Sequence, residues 1–336
     1  MQYRSLGRTG IRVSEIGFGT GGISRLMVSD DHEGQLRAVK GALDLGVTFF
    51  DTAMGYGNGK SEANLGRALK AAGAGVEAGV SLSTKIRLGP DDLSDPKGAV
   101  IASVERSLDR LGRTSVDLIQ IHNYIAPGGK WPVGVALDEG DVFGPGGVLA
   151  GFKELRARGK VGFFGFTGIG DPKALSGLVE SGEFHTVQTY FNLLNPSSGY
   201  PVPESFGALD YGGLLDRAVD EGMGVLVIRV LALGALTAEP GLLGFLDEAP
   251  PVLSLGSEYA RDVERAGKLS WLADEGGYTL AQAAIRFALM KEGVSTVLVG
   301  FSGSGQLEEA VSCSGAGTIS GESMQKLKRL WETDFS

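Results

Sequence analysis

Phe49-Phe50-Asp51-Thr52-Ala53-Met54-Gly55-Tyr56-Gly57 decides how the rest of the chain is read. Val47 to Phe50 is a short apolar run, the pattern of a buried strand. It stops at an acid, and Tyr56 follows on a loop broken by glycine. A carboxylate at the tip of a buried strand is costly unless a cation meets it. Two later stretches end in the same style. Val80-Ser81-Leu82-Ser83-Thr84-Lys85 leans apolar and ends in lysine, and Asp117-Leu118-Ile119-Gln120-Ile121-His122 ends in histidine. Laid side by side and parallel, these strands bring Asp51, Lys85 and His122 to one rim, with Tyr56 just beyond the first.

The alternation of short apolar run and helical pattern extends in both directions. Residues 2–13 read as a hairpin, Tyr3 to Leu6 and Ile11 to Val13 about a Gly7-Arg8-Thr9-Gly10 turn. Glu15 to Thr20 is a strand running into a glycine-rich loop. Helices are expected over 31–45, from Ser61 to Leu69, and over 96–111, the last opened by Asp95-Pro96. Beyond His122 come strands Val161 to Phe166, Thr186 to Tyr190, Val225 to Ile228 and Ser295 to Val299. Helices over 148–158, 171–181, 211–221, 257–275 and 279–291 separate them, and two more near 305–312 and 321–332 close the chain. Long loops over about 123–147, 193–210 and 231–256 follow strands four, six and seven. Eight strands, each followed by helix, imply parallel pairing. The expected fold is a (β/α)8 TIM barrel with an N-terminal β-hairpin and long loops at the C-terminal face, residues 1–336 forming one domain. An open doubly wound sheet leaves the count of eight and the leading hairpin unexplained.

Bulk composition narrows the function. The chain has 43% hydrophobic and 21% charged residues, the mix of a globular enzyme. A net charge of −9 argues against a nucleic-acid surface and gives no reason to expect a membrane partner. A single cysteine, Cys313, rules out an intramolecular disulfide, and three scattered histidines make a metal site unexpected. The chain opens on no signal peptide and holds no apolar run of membrane-spanning length, so a cytoplasmic protein is expected.

Asp51 and Lys85 on adjacent strand ends can form a buried ion pair. A fixed cation beside a phenol favours the phenolate, which makes Tyr56 a usable proton donor and acceptor. His122 can supply a second hydrogen bond to the same substrate oxygen. Such a set suits carbonyl reduction or its reverse, because preorganised donors stabilise charge developing on that oxygen. No side chain delivers hydride, so a nicotinamide cofactor is required. Gly17-Phe18-Gly19-Thr20-Gly21-Gly22 lacks the spacing and following helix of a dinucleotide fingerprint. Val299-Gly300-Phe301-Ser302-Gly303-Ser304-Gly305-Gln306 follows the last strand and opens a helix, at the usual anion site of this barrel. No Lys or Arg lies between Lys291 and Lys326, which favours NAD over NADP. Arg229, just past strand seven, is placed either to reach the pyrophosphate or to pair with a rim acid.

These residues resemble the aldo-keto reductase superfamily over almost the whole chain. The motifs that carry the resemblance are Leu6-Gly7-Arg8-Thr9-Gly10, Gly17-Phe18-Gly19-Thr20, Phe50-Asp51-Thr52-Ala53 with Tyr56-Gly57 and Ser61-Glu62, Ser83-Thr84-Lys85, and Asp117 to His122. The resemblance implies Tyr56 as general acid/base, Asp51 and Lys85 as its tuners, and His122 as the donor that orients substrate. It also implies a barrel that binds NAD or NADP, its hairpin plugging the bottom. For the cofactor it implies Gly19, Thr20, Asp51, Thr167, Gln188 and Arg229. Further along it implies Leu231, Gly234, Gly300, Ser302, Gln306 and Glu309. Several positions depart from the family pattern. Gly168 stands where an Asn is typical, Ile228 where an aromatic often stacks on nicotinamide, Gln306 where an Arg often binds phosphate, and Ala310 where an Asn often contacts adenine. They bear on cofactor preference rather than on the chemistry. Thr167-Gly168 resembles a branch containing aldose and L-galactose dehydrogenases and pyridoxal 4-dehydrogenase, so a small carbonyl or sugar-like partner is expected.

Two other readings compete. A non-catalytic, cofactor-sensing binding protein of the same superfamily would need no intact four-residue set. An aldolase or isomerase would use Lys85 as a Schiff-base nucleophile, which a neighbouring Asp51 disfavours. Among the loop aromatics, Trp131, Phe143, Tyr200 and Phe206 are candidates to line the pocket.

Overall fold

The computed structural model describes residues 1–21, 24–73, 79–237, 254–256 and 258–336. Strands β1 (Tyr3–Ser5) and β2 (Arg12–Ser14) pair antiparallel, Tyr3 opposite Ser14. Strand and helix then alternate: β3 (Ile16–Gly19), α1 (His32–Asp44), β4 (Phe49–Asp51), α2 (Lys60–Ala71), β5 (Ser81–Ile86), α3 (Pro96–Leu111) and β6 (Val116–Ile121). A side excursion holds β7 (Tyr124–Ile125), β8 (Lys130–Trp131), β9 (Gly134–Leu137) and α4 (Glu139–Phe143). The alternation resumes with α5 (Val148–Ala157), β10 (Val161–Gly168), α6 (Pro172–Glu180), β11 (Thr186–Tyr190), α7 (Leu214–Asp220) and β12 (Gly224–Ile228). Helices α8 (Tyr259–Gly267), α9 (Ser270–Gly276) and α10 (Leu280–Met290) precede β13 (Val294–Gly300), and α11 (Ser304–Ser312) and α12 (Gly321–Glu332) end the chain. Eight strands close one parallel barrel in the order β10-β11-β12-β13-β3-β4-β5-β6, a (β/α)8 TIM barrel.

Capping explains where several helices begin. Asp95 accepts from the amide of Gly98 at 3.0 Å with Pro96 in the first turn, and Asp171 accepts from Ala174 at 2.9 Å with Pro172. Thr279 and Gln282 close a reciprocal capping box at α10. The helix expected from 211 starts instead at Leu214, because Gly212 and Gly213 take left-handed φ of +59° and +73°.

Each strand turns alternate residues to the barrel interior, and the two ends of that interior differ. At the bottom, Phe49, Leu118, Leu226 and Leu298 pack with Leu6 and Val13 of the hairpin. The hairpin is therefore a plug. Gly7 makes the approach possible: its φ is +50°, and a Cβ there would fall 2.1 Å from the amide nitrogen of Gly224. Arg4 locks the plug by donating to the buried carboxylate of Glu15 and to the carbonyls of Val294 and Leu289. Higher up, the interior turns polar, with Asp51, Ser83, Lys85, Gln120, Thr167 and Gln188 all buried.

Two expectations change. The 123–147 segment is not a plain loop: β8 and β9 pair antiparallel, β7 pairs with β9, and α4 follows. The helix expected over 257–275 is two, because α8 stops at Gly267 and α9 restarts at Ser270. Of the expected 231–256 loop, residues 238–253 lie outside the described residues, as does residue 257. Among the described residues no helix is long and apolar enough to cross a membrane.

Candidate active site

Strand register assembles the polar rim. Asp51 lies opposite Ser83, and Lys85 opposite Gln120. Lys85 Nζ donates to Asp51 Oδ2, to the carbonyl of Thr52 at 2.8 Å and to the Tyr56 hydroxyl at 3.3 Å. The other Asp51 oxygen accepts from Gln188 Nε2 at 2.8 Å and from Gln120 Nε2 at 3.3 Å. Every donor that a buried carboxylate needs is thus in place. Lys85 is fully enclosed. Burial works against its charge, but Asp51 and Tyr56 outweigh it, and its pKa lies above the ordinary lysine value.

Tyr56 is half-buried, and His122 meets its ring edge-on, with centroids 5.6 Å apart and planes at 88°. Burial first, then the cations Lys85, Arg87 and Arg229, hold the His122 pKa well below the ordinary histidine value. The imidazole is therefore neutral near pH 7, with one N–H to donate. Its Nδ1 is buried with no hydrogen-bond partner among the described residues. The four residues expected at one rim are brought together there.

The other expected positions divide by what already occupies them. Thr167 and Gln188 sit opposite one another on β10 and β11, and Thr167 Oγ1 is buried without a partner among the described residues. Gln188 spends its amide on Asp51. Thr20 is buried, its hydroxyl tied to the carbonyl of Asp51 and to Ser61. Gly19 faces Gly300 across the β3–β13 pairing, and a Cβ on Gly19 would press to 3.1 Å from the Val299 carbonyl. Ser302 presents its amide (2.8 Å) and its hydroxyl (3.0 Å) to one acceptor, Gln306 Oε1. The Ser302 amide and hydroxyl thus converge on one oxygen between β13 and α11. Glu309 accepts from Thr279 at the start of α10. Leu231 and Gly234 stand in the strained turn after β12, where Arg229, Ala232 and Leu233 all have positive φ.

Arg229 pairs with no rim acid among the described residues. Its φ is +59°, its carbonyl accepts from Asn192 Nδ2 at 2.9 Å, and its charge lies within electrostatic reach of Tyr190, Tyr56, Tyr124 and Tyr211. Ile228 packs instead with the barrel-interior cluster. One residue that joins the rim network, Gln120, escaped the sequence reading; it donates to Asp51. Gln120 lies in β6 opposite Lys85 of β5, and Arg87 follows the end of β5 and is exposed. Among the loop aromatics only Trp131 belongs to this end, stacked on Tyr124 at 6.3 Å. Phe143 packs on Phe184, Tyr200 on Phe191 and Phe287, and Phe206 joins the outer core.

The residues present fit a nicotinamide dinucleotide. An orphaned hydroxyl beside a rigid amide suits a carboxamide, close glycines admit a flat backbone approach, and the Ser302 donors suit a phosphate.

Comparison with known proteins points the same way. The sequence profile described as the Aldo/keto reductase family matches residues 15–332. L-Galactose dehydrogenase of Arabidopsis thaliana is 27% identical over 316 residues, covering 93% of this chain and 88% of that protein. L-Glyceraldehyde 3-phosphate reductase of Escherichia coli O157:H7 is 27% identical over 349 residues, covering 97% of this chain and 91% of that protein. Among solved structures, the aldo-keto reductase AKR11C1 from Bacillus halodurans in its holo form superposes with a TM-score of 0.71. The two share 22% sequence identity, and the match covers all of both chains.

Proposed function

The chain belongs to the aldo/keto reductase family, a family of oxidoreductases, and from that premise we propose that residues 1–336 act as one NAD(P)-dependent enzyme interconverting a carbonyl and an alcohol. The observation that carries this reading is the Tyr56 hydroxyl 3.3 Å from a buried lysine that Asp51 keeps charged. When bound, a nicotinamide dinucleotide supplies or takes the hydride. Thr167 and Gln188 would hold its carboxamide end, and Gly300, Ser302 and Gln306 a phosphate.

In the reducing direction Tyr56 donates the proton that the substrate oxygen takes up; in the oxidising direction it accepts it. Lys85 supports both by stabilising the phenolate left after donation. Asp51, held by Gln188 and Gln120, keeps Lys85 fixed and protonated. Neutral His122 donates to the same oxygen and orients it without adding charge. The buried, doubly paired state of Lys85 disfavours a Schiff-base role, which needs a free neutral amine.

NAD is the proposed cofactor. The Ser302 amide and hydroxyl are neutral donors, no Lys or Arg falls between 291 and 326, and Glu309 is poorly suited to a neighbouring 2′-phosphate. Cofactor-linked absorbance on aldehydes, aldoses and their alcohols should reveal turnover with NAD at least as effective as NADP. A strong NADP preference would reverse the cofactor assignment and direct attention to Arg25, which follows Ser24 at the Gly300 edge. Cofactor binding with no turnover anywhere on the panel would favour the cofactor-sensing reading.

A further inference from the structure

The geometry points to an anionic substrate: Arg229, Arg87 and the indole N–H of Trp131 form a subsite for a carboxylate or phosphate carried by the carbonyl compound. This deepens the proposed function and rests on it. Arg229 stands at the exit of β12 and Arg87 at the exit of β5, on either side of His122. Both guanidinium groups lie near enough to His122 and to Tyr124 to act on each. Neither makes an ion pair with a carboxylate among the described residues, although a partly buried Arg229 pays desolvation without one.

Arg87 reaches the β8–β9 excursion. A Cβ added to Gly134 would lie 3.3 Å from Arg87 Nη2 and 2.9 Å from the Tyr124 ring. Gly134 is the strand partner of Trp131, whose ring stacks on Tyr124. Trp131 Nε1 is itself buried with no hydrogen-bond partner among the described residues. A buried donor without an acceptor is costly, and this one belongs to the residue paired with Gly134, whose Cβ position lies against Arg87. Among the described residues, the charges acting on Tyr56 and His122 are the cations Lys85, Arg87 and Arg229, with Asp51 as the carboxylate bound to Lys85. Lys85 and Asp51 satisfy each other, so the charge left over is positive, although the whole chain carries −9. A carboxylate or phosphate accepts from planar guanidinium forks and from an indole N–H alike.

The test has a binding arm and a kinetic arm. In the first, wild type, Arg229→Gln and Arg87→Gln, each saturated with NAD, are titrated with succinate and with inorganic phosphate while tryptophan fluorescence is read. Wild type should bind at least one probe, competitively with the carbonyl substrate, and each variant should bind it about ten- to a hundredfold more weakly. Whichever probe binds tells carboxylate from phosphate. In the second, kcat/KM is compared for 4-carboxybenzaldehyde over its methyl ester and for glyceraldehyde 3-phosphate over glyceraldehyde. The favoured ratio should fall in both variants, with partial recovery in Arg229→Lys. Arg87 is exposed, so its variant answers even if Arg229→Gln folds poorly. Weaker NAD affinity in Arg229→Gln with an unchanged anion ratio would hand that residue to the cofactor and overturn the inference. So would the absence of any anion preference in a wild-type enzyme that turns over neutral carbonyls, an outcome that leaves the proposed function standing.

Discussion

At the scale of single residues, the site depends on a lysine with no water around it. Lys85 stays charged because three oxygen partners replace its hydration, and the Asp51 carboxylate is met in turn by Lys85 and two glutamines. Removing one side of such a pair strands the other. Lys85→Met should cost about 3–5 kcal/mol of folding stability in urea denaturation; a change below about 1 kcal/mol would mean the pair is not buried as described. The Lys85 pKa is raised on folding, so its contribution is complete below the unfolded value of 10.5 and is lost only as pH climbs through the higher folded value. His122 behaves oppositely. Its pKa is lowered on folding, so the unfolded chain binds protons first, and stability falls as pH drops below 6.5 toward the folded value. His122→Gln should flatten that acid limb without abolishing it, because half-buried His185 shifts in the same direction. Urea midpoints measured between pH 7.5 and 5 would show this; an unchanged slope would place His122 in water.

At the scale of elements, the hairpin and the loop excursions do different work. The hairpin is structural: Leu6 is wholly buried in the barrel bottom, so Leu6→Ala should cost about 2–5 kcal/mol in denaturation while leaving the polar rim chemically intact. A cost under about 1 kcal/mol would show that the plug is loosely seated. The strands were legible in the sequence because each is an apolar run cut off by a reactive or glycine residue. The hairpin was legible from its Gly-containing turn. The small β7–β9 sheet was not, since strands as short as Lys130–Trp131 carry no alternation and sit among glycines and prolines. The break between α8 and α9 was missed although Gly267 marks it. Tyr200 and Phe206 looked like pocket residues from their loops; their stacking on distant helices is a tertiary fact that local sequence does not carry.

At the scale of the whole molecule, the barrel separates stability from chemistry along its axis. Apolar side chains and the hairpin close one end, while strand tips present Asp51, Lys85 and His122 at the other. That separation is why the site could be read from three strand endings without coordinates. Gln120 could have been read too, by counting back two positions from His122 into the same strand. What the sequence withheld is direction: which way Arg229 turns depends on a positive φ that no propensity foretells at an arginine. The account stands or falls on Tyr56 as the proton carrier. The decisive measurement is turnover of Tyr56→Phe beside wild type, with cofactor affinity followed separately by fluorescence titration. Turnover should drop by about 10²–10⁴-fold while the cofactor still binds; a variant that works at near wild-type rate would contradict it.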